Sequence, residues 1–106
     1  MYLYYIIQTM KLRIEFNKEK NLLFKEIRGV CFEDIIQTIE RGNILDNLEH
    51  HNKKRYPNQK ILVVKIKNYA YAVPYVIDKK KETVFLKTVY PSRVLTEKYL
   101  RKQQKL

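Results

Sequence analysis

The stretch LEHHNKKRYPNQK, residues 48–60, concentrates side chains that can move protons and bind phosphate. His50 and His51 are adjacent, and imidazole exchanges protons near neutral pH because its unperturbed pKa is about 6.5. Lysine and arginine can neutralise phosphate oxygens, and the arginine fork can bind two of them at once. The basic residues that follow the two histidines in this stretch are Lys53, Lys54, Arg55 and Lys60.

This set suits RNA cleavage without a metal ion. A base takes the proton from a 2′-hydroxyl, which attacks the adjacent phosphorus, while an acid protonates the leaving 5′-oxygen and cations stabilise the phosphorane. Arg93 joins the set because it begins a predicted helix, where the helix dipole favours a phosphate. His51 is preferred over His50 as the catalytic histidine because it lies nearer the cations. The catalytic candidates are His51, His50, Arg93 and Lys54.

A second group of residues is a candidate for binding RNA rather than cleaving it. Tyrosines at alternate positions of one predicted strand could stack on exposed bases, and Tyr75 stands beside the irregularity expected at Pro74. Tyrosines at this spacing also line protein cores, and a lysine-rich elbow is often only a solvated hairpin corner. The RNA- or phosphate-binding candidates are Lys53, Arg55, Lys60, Lys87 and Tyr75.

Other kinds of site are disfavoured by the composition. Two glycines cannot build a glycine-rich phosphate loop. Neighbouring residues of a strand point to opposite faces, so His50 and His51 are not expected to chelate one metal ion, and the single cysteine, Cys31, provides no zinc spacing. We therefore expect no metal and no cofactor. One cysteine also rules out an internal disulfide framework and fits a reducing, cytoplasmic compartment.

The bulk composition indicates one compact domain that binds polyanions. The chain has 106 residues, 22 Lys and Arg against 11 Asp and Glu, and a formal net charge of +11. Such a charge favours nucleic acid, an anionic membrane face or an acidic protein. The apolar N-terminus is too short for a membrane span, and we expect no membrane attachment. The domain is expected to cover residues 10–106, with residues 1–9 an N-terminal extension or an extra edge strand, depending on whether Met1 or Met10 is the native start.

The first half of the chain predicts a strand and two helices that position these residues. KLRIEF alternates as a half-buried strand with Leu12, Ile14 and Phe16 on one face. Asn17 is the expected N-cap of the helix KEKNLLFKEIR, in which Leu23, Ile27 and the flanking Phe24 form the apolar face, and Gly29 is its left-handed C-cap. FEDIIQTIER is the second helix, with Ile35, Ile36 and Ile39 inward and Gly42 after its end.

The second half predicts a sheet and a final helix. ILDNLEHH, KILVVKIK, YAYAVPYVID and TVFLKTVYP have strand periodicity and short connections, which favours an antiparallel meander. Pro74 predicts an edge strand or a bulge. Ser92 caps the helix RVLTEKYLRKQQKL. The expected fold is α+β, in the order β-α-α-β-β-β-β-α, with four to five antiparallel strands and the helices on one face.

Two segments resemble the BrnT-type toxins of type II toxin–antitoxin systems. IEFNKEKN…RGVCFEDI is similar to their opening pattern, and KTVYPSRVLTEKYL looks like their C-terminal segment, which puts Arg93 and Thr96 on matching positions. The resemblance covers residues 11–100, with Cys31 where a capping serine is usual and Leu95 where alanine is expected.

The resemblance implies a RelE-like fold and metal-independent RNA cleavage that inhibits translation. It also implies a ribbon-helix-helix (BrnA-like) antitoxin as partner, with toxin dimers in the complex. The alternative is a non-catalytic basic module, an inactive toxin homologue that binds an antitoxin or nucleic acid. Cleavage of a transcript in EDTA separates these two readings.

Overall fold

A computed structural model of the chain describes residues 12–101, which form a sheet with helices on both faces. The expected extension at residues 1–9 lies outside the described residues. The elements follow the predicted order. They are β1 (Arg13–Phe16), α1 (Lys18–Arg28), α2 (Phe32–Glu40), β2 (Ile44–Glu49), β3 (Gln59–Ile66), β4 (Tyr69–Asp78), β5 (Thr83–Leu86), β6 (Tyr90–Pro91) and α3 (Arg93–Thr96), which continues as a π-helical turn (Glu97–Arg101).

The predicted helix caps are confirmed. The Asn17 side chain accepts a hydrogen bond from the Lys20 backbone N–H at 2.9 Å, and Gly29 ends α1 with φ of 69°, a left-handed conformation that glycine adopts without a Cβ penalty. At the start of α2 the Asp34 carboxylate accepts from the Cys31 backbone N–H at 2.9 Å and from its thiol at 3.2 Å. Ser92 caps α3 by accepting from the Leu95 N–H at 3.1 Å.

The antiparallel meander of β2, β3, β4 and β5 is also confirmed, but the sheet as a whole is mixed and six-stranded. The strand order is β1-β5-β4-β3-β2, and β1 pairs with β5 in parallel. Because β1 and β2 occupy opposite edges, the chain crosses the sheet between them, through α1 and α2. The predicted last strand divides into β5 and β6, which pair with β4 at different places along the same edge.

Pro74 lies in the central strand β4, which pairs with β3 in continuous register, so the expectation of an edge strand or a bulge is wrong. Along one side of β4, Tyr75–Asp78 pair with β5 and Tyr71–Ala72 pair with β6. Pro74 falls between these two partners, where its carbonyl accepts from the Lys87 N–H at 2.8 Å. A strand residue's N–H and C=O point to the same side, so the donor that proline lacks would face this gap.

The two faces of the sheet carry different helices. On the first face, α1 and α2 cover a core of aromatic and aliphatic side chains; on the second face, the buried Val63, Ala70 and Ala72 lie below α3. Tyr99 reaches Asp46, whose strand partner is Val63, so the C-terminal helix crosses this second face. The expectation that all helices share one face is therefore wrong. The first-face core comprises Phe24, Phe32, Ile35, Ile39, Leu62, Val64, Val73, Tyr75, Val84, Leu86 and Val89, with Leu12 and Val30.

Helix α1 turns a different face inward than its aliphatic spacing predicts. Phe24 and Asn21 are buried, whereas Leu23 is 50% and Ile27 is 70% exposed. Asn21 connects the helices, since its side chain accepts from the Phe32 N–H at 2.6 Å and donates to Glu33. The helix is rotated toward this polar contact and toward the Phe24–Phe32 ring pair, whose centroids are 5.7 Å apart.

Candidate functional site

The basic stretch forms an elbow, residues 50–58, between β2 and β3. Backbone bonds close it: the His50 N–H donates to the Gln59 carbonyl at 3.3 Å, and the Tyr56 N–H donates to the Asn52 carbonyl at 3.0 Å. The Asn52 N–H donates to His50 Nδ1 at 3.0 Å. Two of these bonds involve His50, and the third closes the turn between Asn52 and Tyr56.

Four side chains of the elbow form one stack. The rings of His50 and His51 are stacked, with centroids 4.5 Å apart and planes 23° apart. The Tyr56 ring lies on His50 at 4.5 Å, and the Arg55 guanidinium lies 5.5 Å from the Tyr56 centroid. The expectation that the two histidines point to opposite faces is wrong, because β2 ends at Glu49 and strand alternation no longer applies to them.

The stacked arrangement does not suit a shared metal ion. A histidine binds a metal through a lone pair in its ring plane, and nearly parallel rings hold their lone pairs in separate planes. Within residues 12–101, no group of three or more His, Cys, Asp or Glu could hold a metal ion.

Lys87 follows the end of β5 and is connected to the histidines through Gln59, whose carbonyl accepts from the His50 N–H. Its Nζ donates to Gln59 Oε1 at 2.9 Å, and its backbone carbonyl accepts from Lys20 Nζ at 3.1 Å. The pKa of His50 lies below its ordinary value, first because the ring is desolvated and then because His51 and Lys87 disfavour added positive charge. We call His50, His51, Gln59 and Lys87 the histidine–lysine cluster.

The position of the proton on His50 follows from its hydrogen bond. Nδ1 accepts from the Asn52 N–H, so the proton of the neutral imidazole is on Nε2. Neutral His50 therefore donates a hydrogen bond through Nε2 and has no free lone pair for accepting a substrate proton. His51 is exposed at the outer end of the stack, where a substrate can reach it.

Gln59 was not among the site residues predicted from the sequence. Strand alternation could have indicated its position, because Gln59 lies on the same face as Ile61 and on the opposite face from Lys60. Gln59 pairs with Val76 on the second face, and Lys60 pairs with Tyr75 on the first. The alternation could thus have separated these two neighbours before the structure was known.

The remaining basic residues of the elbow are divided among different environments. Lys53 forms an ion pair with Glu49, and this hydrogen bond and charge lower the pKa of the Glu49 carboxyl. Lys54 and Arg55 are exposed in the turn. Lys60 lies on the other face of the sheet from the histidine–lysine cluster. The elbow therefore does not gather all its charge into a single cleft.

Arg93 does not join the histidines. Its neighbour Ser92 donates through its N–H to the Ala70 carbonyl at 2.9 Å, at the beginning of β4, whereas His50 bonds Gln59, which pairs with Val76. From Ala70 to Val76 the strand rises about 20 Å. The expectation that Arg93 faces the elbow across one groove is wrong, since groups this far apart cannot contact one scissile phosphate.

Tyr75 is not available for stacking on a base. Its side chain is 1% exposed, and its hydroxyl donates to Asn47 Oδ1 at 2.7 Å. Burial raises the pKa of the phenol. The predicted stacking role is wrong because Tyr75 faces the core, and the tyrosine that stacks in the elbow is Tyr56.

Comparison of the chain with known proteins finds no relative. No protein-family model, no curated protein and no solved structure matches the chain. Among the helices of residues 12–101, none is long and apolar enough to cross a membrane.

Proposed function

We propose that the chain is a metal-independent RNA endonuclease of the BrnT type, acting at the histidine–lysine cluster rather than across a groove that includes Arg93. The observation that carries the proposal is the stack of His51 on His50, next to Gln59, which accepts from the His50 N–H through its carbonyl and from the Lys87 ammonium through its side chain. It brings an exposed imidazole, an imidazole N–H donor and an ammonium group to one place. These are groups that 2′-hydroxyl attack requires.

In this proposal each group has one role. His51 takes the proton of the 2′-hydroxyl as its oxygen forms a bond to phosphorus. The bond from phosphorus to the 5′-oxygen breaks, and the Lys87 ammonium protonates that oxygen. His50 donates from Nε2 to a non-bridging oxygen of the phosphorane. The products are a 2′,3′-cyclic phosphate and a 5′-hydroxyl, and solvent returns the protons to their starting positions.

A toxin role and its partner belong to the same proposal and are supported by the two BrnT-like segments and by the net charge of +11. A basic toxin can bind an acidic surface of a ribbon-helix-helix antitoxin. The target of the toxin would be cytoplasmic RNA. Induced expression should arrest growth, and co-expression of the neighbouring antitoxin should restore it. Toxin dimers in that complex remain part of the proposal.

The test is cleavage of a long transcript by purified protein in EDTA. We expect fragments with cyclic phosphate ends, and a rate loss of about 100-fold or more in His51→Ala and Lys87→Ala. Lys54→Ala is the matched control, a lysine of the same elbow with an exposed side chain, and it should retain most activity. Arg93→Ala should also remain active, which separates this site from the groove expected from the sequence.

A second candidate is a non-catalytic RNA-binding module. The separation of Arg93 from the elbow favours it, because the cluster then holds one catalytic cation instead of several. In that case the transcript binds but remains intact, and His51→Ala weakens binding without affecting any cleavage. Circular dichroism of each variant shows whether the fold is retained.

A further inference from the structure

A small cavity lies on the first face of the sheet, beside the elbow. It has a volume of about 290 Å³, and no residue of α1 or α2 lines it. Tyr75 and Ile77 alternate along β4, so both point to this face, and Lys60 is the partner of Tyr75 on β3. Lys79 follows the end of β4 and also lines the cavity. The lining residues are Pro57, Asn58, Lys60, Tyr75, Ile77 and Lys79.

The lining has two chemically distinct parts. Pro57 and Ile77 provide apolar surface, and the buried Tyr75 closes the floor. The Asn58 amide adds a donor and an acceptor, which can pair with the edge of a planar heterocycle. A volume of about 290 Å³ is at the small end of the range for ligand sites and suits a ligand smaller than a typical drug.

The charged part of the lining is entirely basic. Lys60 and Lys79 contribute ammonium groups, and no carboxylate lines the cavity. Two other cavities in residues 12–101 each include a carboxylate, from Asp34 and from Glu15. This cavity therefore favours an anionic ligand more than those two do.

The acidic residues nearest in the fold are already engaged. Asp78, the last residue of β4, alternates away from Ile77, and its Oδ1 accepts from the Lys80 and Lys81 N–H groups at 3.0 and 3.1 Å. Glu49 is the strand partner of Lys60 and lies on the same face; its carboxylate forms an ion pair with Lys53, and Lys53 first and Lys60 to a smaller extent lower the pKa of that carboxyl. Neither Asp78 nor Glu49 lines the cavity.

We infer that this cavity binds one nucleotide, with the base between Pro57 and Ile77 and the phosphate between Lys60 and Lys79. The assignment rests on the proposed function for its context, because RNA bound at the histidine–lysine cluster would place neighbouring nucleotides near the same end of the sheet. The cavity would give the RNA a second contact, on the face of the sheet opposite the histidine–lysine cluster. The binding itself requires no cleavage.

The experiment titrates the complete protein with the four ribonucleoside 5′-monophosphates and follows backbone and methyl signals by NMR. We expect at least one mononucleotide to saturate shifts at Asn58 and Ile77. The double variant Lys60→Ala/Lys79→Ala should raise Kd by about tenfold or more, since it removes both charge-assisted contacts. Lys54→Ala/Lys81→Ala, which removes the same number of lysines from nearby exposed positions, should leave Kd within about twofold.

Titration with further ligands distinguishes a nucleotide-binding pocket from a cationic surface patch that binds any anion. Inorganic phosphate and the uncharged nucleosides should each bind more weakly than the mononucleotide. Equal shifts with phosphate alone, or no saturable shift at Asn58 and Ile77 with any mononucleotide, would overturn the inference. His51→Ala abolishes cleavage under the proposed function but should leave mononucleotide binding unchanged, so failure of one proposal is distinguishable from failure of the other.

Discussion

Protonation of His50 connects the elbow's geometry with its charge. The ring lies between those of His51 and Tyr56, stacked on the first and tilted 41° to the second, and Nδ1 accepts from the Asn52 N–H. The pKa of His50 is lowered first by desolvation of the ring and then by the charges of His51 and Lys87, which disfavour a second proton. A second proton would also require loss of the hydrogen bond from the Asn52 N–H.

A pH titration tests this connection. Because the folded-state pKa of His50 lies below 6.5, the unfolded chain binds more protons than the folded one as pH falls through 6.5. The contribution of His50 to folding stability is therefore present above 6.5 and decreases below it, down to the folded-state pKa. Replacing Lys87 by Met should raise the folded-state pKa of His50, measured from its imidazole NMR signals.

The control for that titration is Lys54→Met, which removes an exposed elbow charge that does not contribute to the shift of His50. Its His50 should titrate as in the parent protein. If Lys87→Met also left the titration unchanged, Lys87 would lie too far from the imidazole to act with it on one phosphate.

At the scale of elements, the C-terminal helix is attached to the sheet by polar contacts as well as apolar packing. Thr96 Oγ1 accepts from the Ala70 N–H at 2.9 Å, and the Tyr99 hydroxyl donates to the Asp46 carboxylate. The bond to Asp46 raises the pKa of Tyr99 to about 12, and the same bond lowers that of Asp46. Both shifts mean that the folded protein stabilises the protonated Tyr99 phenol next to the ionised Asp46 carboxylate.

Replacing Tyr99 by Phe should lower folding stability only where that pair exists. The raised pKa of Tyr99 means that its stabilisation is complete below pH 10.0 and is lost as pH rises toward about 12. The lowered pKa of Asp46 means that the stabilisation is also lost as pH falls below 3.8. Denaturant unfolding of both proteins should thus show their largest difference between these limits.

Tyr90→Phe is the comparison for this element, because Tyr90 is 39% exposed and lies on β6, away from Asp46. It should change stability little at any pH in the range. A Tyr99→Phe difference that stayed constant from pH 7 to 12 would show that the hydroxyl does not bond to Asp46.

For the whole molecule, the net charge is +11, and basic residues of the described part of the chain lie on both faces and at both ends of the sheet. The cluster holds Lys87, the cavity holds Lys60 and Lys79, and Arg93 begins the helix at the far end of β4. RNA affinity should therefore have a general electrostatic part and a local part. Only the local part requires the histidine–lysine cluster and the cavity.

Salt dependence measures these parts. The slope of log K against log salt is about −0.7 per single-strand phosphate contacted. Removing Lys60 and Lys87 together should make the slope less steep by about 1.4, if each contacts one phosphate. Lys54→Ala/Lys81→Ala should alter it less. Equal slopes for both double variants would show that RNA contacts the surface charge without using the cavity or the histidine–lysine cluster in particular.

Much of the fold could be predicted from the sequence because the information is local. Asn17, Gly29 and Ser92 act within one helical turn, and the period-two pattern of residues 59–78 marks strands whose short connections leave antiparallel pairing as the simple result. The basic elbow was also evident, because four cations and two histidines lie within a few residues. Local spacing is sufficient for such features.

The tertiary structure alone decided which residues meet. The parallel pairing of β1 with β5 joins segments far apart in the sequence, and no local period encodes it. The stacking of His50 on His51 depended on β2 ending at Glu49, and a one-residue difference there reverses the direction of a side chain. Arg93 and the elbow proved to lie at opposite ends of β4, because a strand is long relative to side-chain reach. Residue types thus determined the available chemistry, and the folded path of the chain determined where it can occur.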